Sequence, residues 1–181
     1  MKLPFFTIGH SDRSLDTFAG LLKQADVTHV ADIRKMPRSK ANPQFNEDSL
    51  VNWLATLGIG YEHIAALGGL RAKTVQVPAD VNGFWINRSF HNYADYALSS
   101  HFNDGITHLI EQGRKQRCVM MCAEAVWWRC HRRIVADHLI ARGEAVFHIM
   151  SENRIEPAQL TPGAVIESDL RVIYPEENQG L

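Results

Sequence analysis

Between Arg117 and Leu139 the chain reads RCVMMCAEAVWWRCHRRIVADHL, and this stretch limits the fold more than any other. Val119, Met120 and Met121 form a short continuous apolar run, the pattern of a strand covered on both faces. Ile134, Val135, Leu139 and Ile140 recur at helical spacing, so a helix follows, opening on Cys-His-Arg-Arg. The seven residues between them form a turn. Strand, turn and helix in this order describe half of a parallel β-α-β unit. In open α/β sheets, ligands bind where a strand's carboxyl end meets a helix N-terminus. Cys122, Glu124, Cys130, His131 and Arg132 all fall at that junction, and a purely structural turn needs no such set.

The remaining chain supplies further units of the same kind. Phe5 to Ile8 reads as strand one, ending at Gly9, with His10-Ser11 opening a polar turn. Leu15, Phe18, Leu21 and Leu22 fit an amphipathic helix. Val27 to Ile33 reads as strand two, and alternation puts Asp32 and Arg34 on one face. Arg34 to Phe45, RKMPRSKANPQF, is a basic loop broken by Pro37 and Pro43. Asn46 caps a helix running to Leu57, and Ile59 to Ile64 is a short third strand. A long loop from Ala65 to Gly83 contains Gly68-Gly69, which suits a tight turn or close approach of a ligand to backbone. Phe84 to Gly113 is helical with a break near Asn103, and its aromatics pack core or form a lid. Ala145 to Met150 is a fifth strand. Residues 151–181 read as an irregular C-terminal extension with a weak strand at Val172 to Tyr174. The expectation is a single α/β domain over 1–181. It is a three-layer, Rossmann-like fold with a mostly parallel sheet of about five strands and helices on both faces. Placing strands one and four side by side would gather the loops after Ile8, Ile33 and Cys122.

Composition narrows the function classes. A net charge of −1 over 181 residues argues against a bulk nucleic-acid coat, while leaving room for a local basic patch. No apolar run approaches the roughly 20 residues that span a bilayer, and the N-terminus turns polar too soon for a signal peptide. Three cysteines make no disulfide framework, so a reducing cytoplasm is expected.

Taken together, these motifs resemble the family known as domain of unknown function 488. The resemblance is carried by Thr7-Ile8-Gly9-His10-Ser11, Asp32-Ile33-Arg34 with Pro37 and Ser39, and Leu67-Gly68-Gly69. Its strongest part is Cys122-Ala123-Glu124 followed by Cys130-His131-Arg132. It runs through about Met150. The resemblance implies the fold and the place of a site rather than a reaction. Trp127-Trp128-Arg129 departs from it, because that turn in relatives more often holds acidic or proline residues.

Several chemistries compete for these residues. Amides at the helix start, with Arg132 or Arg129, suit an anion. Cys122 reads as a nucleophile with a thiolate favoured by the helix terminus, or as a buried core thiol. Glu124 and His131 suit an acid/base pair. Asp32 would orient a catalytic group or only pair with Arg34, and Arg34 would hold a ligand phosphate or carboxylate. Gly9, His10, Ser11, Gly68 and Gly69 complete the expected ligand-binding set. No cofactor is predicted. A metal through Cys122, Cys130 and His131, with His10 or Glu124 as fourth ligand, is disfavoured: on a helix Cys130 and His131 would point about 100° apart. A Cys122–Cys130 redox disulfide is geometrically open. The favoured function is a hydrolase or transferase acting on an anionic ligand such as a nucleotide or nucleic-acid end. The alternatives are a non-catalytic nucleotide or nucleic-acid binding module and a thiol-dependent metal or redox protein.

Overall fold

The computed structural model describes residues 2–176. Six strands form one sheet: β1 (Phe5–Gly9), β2 (His29–Asp32), β3 (Gly60–His63), β4 (Cys118–Cys122), β5 (Val146–Ser151) and β6 (Arg154–Pro157). Their order is β3-β2-β4-β1-β5-β6. The first five strands pair in parallel and β6 pairs antiparallel to β5. The mostly parallel, helix-covered sheet expected from the sequence is therefore present, with one strand added at an edge.

Parallel pairing requires crossovers, and helices supply them. Helices α1 (Leu15–Gln24) and α2 (Glu47–Thr56) cover one face; α3 (Arg88–Tyr96), α4 (Ser100–Gly113) and α5 (Arg132–Ala141) cover the other. The alternation along β4 shows why its whole sequence is apolar. Val119 and Met121 enter the core with Phe18, Leu22, Leu50 and Leu54. Cys118, Met120 and Cys122 enter the other, with Phe102, Ile106, Ile134 and Leu139. Every residue of β4 is thus buried.

Several boundaries differ from the periodicity. The break in the 84–113 helical region lies at Ala97–Ser99, not Asn103, because Ser99 caps α4 by accepting the Phe102 amide. Asn103 sits inside α4 and receives Arg142 on its side-chain oxygen. The segment after Ser151 is not irregular. A turn with Asn153 at positive φ folds β6 back on β5, and β7 (Val165–Ile166) pairs with β8 (Val172–Ile173). Tyr174 then enters the core fully buried and donates to Asp137 at 2.7 Å. The residues beyond 176 lie outside the described part of the chain. Among the described residues, no helix is long and apolar enough to cross a membrane.

Titratable groups are also buried away from the sheet's carboxyl edge. His138 of α5 lies edge-on to Phe102 with no solvent exposure. Burial, assisted by Arg142, pushes its imidazole down to about 3. Above pH ~6.5 the ring is neutral in both folded and unfolded chains and has no effect on stability. Below that pH the unfolded chain takes a proton that the folded one refuses, so acid removes stability down to about 3. His138→Met is expected to remove one proton's worth of this slope, roughly 1.4 kcal/mol per pH unit between about pH 6 and 4. Urea denaturation at several pH values checks this; an unchanged slope would show that His138 ionises normally in the fold.

Candidate functional site

The order of the sheet sets the three loops side by side. Gly9 registers with Cys122, and Asp32 registers with Met121. The ladders continue past the strand ends: His10 donates to the Cys122 carbonyl and Ser11 to that of Ala123, while Ile33 donates to Met121, each at 2.9–3.0 Å. A cavity of about 450 Å³ opens at this edge. Its floor is Cys122, Cys130 and His131; Arg34, Lys35, Arg38 and Arg129 supply cations; Met36, Leu70, Phe90 and Tyr93 supply apolar wall.

The floor is the tightest part. Cys122 ends β4 pointing to the α5 side, and Cys130 comes back toward it across the turn. Cys130 has extended backbone, with φ −128° and ψ 145°, and follows a single 3-10 turn at Trp127–Arg129. It therefore precedes α5 instead of belonging to it, and its side chain converges with that of His131. The His131 Nδ1 lies 3.7 Å from the Cys130 sulfur and 3.9 Å from that of Cys122. Nε2 lies 2.8 Å from the Ile33 carbonyl. A carbonyl can only accept, so Nε2 carries a hydrogen toward Ile33, and Nδ1 is the ring nitrogen that faces the two sulfurs. Gly69 permits this placement: a Cβ there would stand 2.8 Å from Nδ1.

The two thiols differ. Cys122 is raised well above the ordinary thiol range by its hydrogen bond to Cys130 and by burial. Cys130 is buried too, which opposes ionisation. The hydrogen bond from Cys122 and the neighbouring His131 and Arg132 nevertheless hold it well below that range. Of the two, Cys130 is the one shifted toward the thiolate, whereas the nucleophile expected from the sequence is Cys122. The Arg132 amide also approaches the Cys130 sulfur at 3.5 Å.

Other expectations are also displaced. The amides opening α5 do not face a ligand, because Cys130 and His131 occupy them: Arg133 donates to the Cys130 carbonyl, and Ile134 and Val135 donate to that of His131. Arg132 does not reach the cavity. It is fully buried and donates to the carbonyls of Glu124 and Ala125 at 2.6 and 3.1 Å. Glu124 lines the cavity but is exposed, and His131 is engaged by Ile33 and the thiols, so the two form no direct acid/base pair.

The remaining residues of the predicted set support the cavity from behind. Asp32 is fully buried and receives Arg34 and the Tyr61 hydroxyl, so it holds Arg34 instead of facing the cavity. Burial opposes the Arg34 charge, yet its bonds to Asp32 raise the guanidinium pKa further. His10 stacks on Phe45, donates Nδ1–H to the Ser11 carbonyl and offers Nε2 to Arg34 at 3.3 Å. Ser11 turns the chain with φ 48°. Gly68 lies against the backbone of Arg34 and Lys35. Neither Gly9, His10, Ser11, Asp32, Gly68 nor Arg132 lines the cavity.

Sequence reasoning missed the wall. Phe90 and Tyr93 share one helical face at spacing i, i+3, a signal present in the chain. Tyr93 and Tyr96 also donate to the carbonyls of Leu67 and Ala66, pinning the loop that carries Gly69. Trp127 is a packing residue: it stacks on His148 at 4.6 Å, while Trp128 remains 44% exposed beside it.

Residues 14–139 match the family described as Domain of unknown function DUF488. The chain belongs to this family. The match takes in β2, β4, the Gly-Gly loop and the thiol floor, but begins after the Thr7–Ser11 segment. No curated protein and no solved structure matches the chain significantly.

The glycine at the end of β1 gives a direct test of how closely the loops meet. A Cβ at Gly9 would stand 1.7 Å from the Glu124 carbonyl oxygen, which is backbone and cannot swing away. Gly9→Ala is expected to cost roughly 3 kcal/mol or more. Gly20, exposed in α1 with nothing within 4 Å, is the control, and alanine there should stabilise by about 0.5–1 kcal/mol. Urea denaturation of both variants checks the pair; a neutral Gly9→Ala would mean the β1 and β4 loops are further apart.

Proposed function

We propose that this protein is an enzyme, a hydrolase or transferase, that binds a small anionic ligand in the cavity at the sheet's carboxyl edge. The observation that supports this most is the coexistence of two chemistries in one 450 Å³ space: a thiol–imidazole floor and four cationic side chains around it. Cavities of this size are ordinary for a nucleotide or a phosphorylated metabolite. A phosphate or carboxylate would be drawn by Lys35, Arg38 and Arg129, which are exposed, and met deeper in by Arg34, which Asp32 preorients. Phe90, Met36 and Leu70 offer flat apolar surface to the remainder of such a ligand, which suits a nucleobase. The reacting group would then lie over Cys122, Cys130 and His131.

A non-catalytic module for a nucleic-acid end is the second reading, favoured by one observation. Lys35 and Arg38 line the cavity from one exposed loop that continues to the exposed Lys40, a run of cations suited to a phosphate backbone. Turnover separates the two readings.

A thermal-shift screen of nucleotides, phosphorylated metabolites and short oligonucleotides tests the pocket. A ligand at 100 times its Kd stabilises by about 2.7 kcal/mol, a shift of roughly 5–10 °C for a chain of this size. Arg38→Glu and Arg129→Glu alter exposed residues, so folding should persist while affinity falls roughly tenfold each and the salt dependence of oligonucleotide binding becomes shallower. A folded wild-type protein stabilised by no anion in the screen would sink the reading.

A further inference from the structure

We propose that Cys122, Cys130 and His131 bind one thiophilic divalent cation of the zinc type, with the fourth coordination position open to the cavity. Their ligand atoms all lie within 4.8 Å of one another. Zinc holds thiolate sulfur at about 2.3 Å and imidazole nitrogen at about 2.0–2.1 Å, so in a tetrahedral site sulfur and nitrogen stand about 3.6 Å apart. The observed nitrogen–sulfur separations of 3.7 and 3.9 Å lie within a few tenths of an ångström of this, and the two sulfurs, within 4.8 Å of each other, would close by up to about 1 Å to reach the roughly 3.8 Å of a tetrahedral pair.

Three further features point the same way. Both sulfurs converge on one imidazole nitrogen, and one cation would satisfy all three atoms together. The other ring nitrogen donates to the Ile33 carbonyl, which fixes the tautomer and leaves Nδ1 free to ligate. Metal-bound histidines almost always have such an outer partner. The Arg132 amide directed at the Cys130 sulfur is the matching outer bond on a thiolate. The spacing argument against a metal assumed that Cys130 and His131 share a helix; the extended backbone at Cys130 removes it.

Among the described residues the cluster has three ligands and no fourth. His10 is committed to Ser11 and Arg34, and the Glu124 side chain is exposed. Three protein ligands with an open position are the pattern of catalytic sites, whereas structural sites close with four. Two thiolates offset the charge of the ion, so loading leaves the floor neutral beside buried Arg132. Each thiol still protonated releases its proton to solvent on binding. An ion there would polarise a ligand oxygen or a water facing the cavity.

The test uses the whole chain, purified under reducing conditions, stripped with a chelator and titrated with cobalt(II) in the absence of any other ligand. One equivalent is expected to bind, with the thiolate-to-cobalt charge-transfer band and the intense visible bands of a tetrahedral ion, and one equivalent of zinc should bleach them. Cys122→Ser, Cys130→Ser and His131→Asn should each weaken cobalt binding about 100-fold or more, while Cys118→Ala leaves it unchanged. Weak octahedral spectra, or two freely titrating thiols at equimolar cobalt, would overturn the site. So would a Cys122–Cys130 disulfide that resists the reductant. No anion takes part in these measurements, so their failure and the failure of the anion screen remain distinguishable.

Discussion

The guanidinium of Arg132 holds the site end of the molecule together. Between β4 and α5 the chain must turn within a few residues, and two carbonyls, of Glu124 and Ala125, point inward where water does not reach Arg132. An unsatisfied buried carbonyl is costly, and two at one turn would push the chain elsewhere. A planar fork with donors a fixed distance apart meets both at once. With the turn held, Gly9 can press against Glu124, Cys130 is returned to Cys122, and His131 reaches Ile33 on the neighbouring loop. A lysine would keep the charge but lose the paired geometry, since its ammonium is a point donor. Arg132 leaves its Nε without a protein partner, so this anchor is not fully satisfied even in the native fold.

This arrangement explains which parts were legible in the sequence. Burial on both faces leaves a continuous apolar run, so β4 was visible from Val119, Met120 and Met121, and the strand-turn-helix unit with it. The Asp32–Arg34 pairing followed from period-two alternation alone. What periodicity cannot show is where a helix's first residues stop being helical. Cys130 and His131 read as helix because their neighbours do, yet one is extended and the other only half-in, and the whole thiol floor turns on that difference. Arg132 was misread for a related reason. A guanidinium beside a candidate site looks like a ligand donor until the turn carbonyls that occupy it are placed. Hairpin β5-β6 escaped because Glu152-Asn153 is a turn signal followed by a strand too short, and too mixed in burial, to show alternation.

The cations near the sheet edge sort into two groups, and the sorting decides what a ligand would feel. Arg13 donates to the carbonyls of Gly9 and Met150, Arg34 is clamped by Asp32, and Arg132 by the turn. These three stiffen the loops and have few donors left. Lys35, Arg38 and Arg129 are exposed at the cavity. Their attraction for an anion acts through solvent, so it is long-ranged, screened by salt and weak for any single contact. Orientation must then come from the rigid parts, namely Arg34, the aromatic wall and the floor. Capture and alignment are thus assigned to different residues.

That division bears on why the floor is so polar for its depth. Two buried cysteines and a half-buried histidine against an apolar core would pack more stably as leucine or methionine, because a buried polar group gains little unless fully partnered. Here the partnering is incomplete. Two sulfurs crowd one imidazole nitrogen at 3.7 and 3.9 Å, and the two thiols are pushed in opposite directions, Cys122 up and Cys130 down. Local strain or unsatisfied polarity of this kind concentrates where a protein acts on something outside itself. The same three atoms placed one residue further into α5 would have diverged around the helix and made an inert core. The extended backbone at Cys130, set by the 3-10 turn before it, is therefore the feature that separates a site from a capped helix.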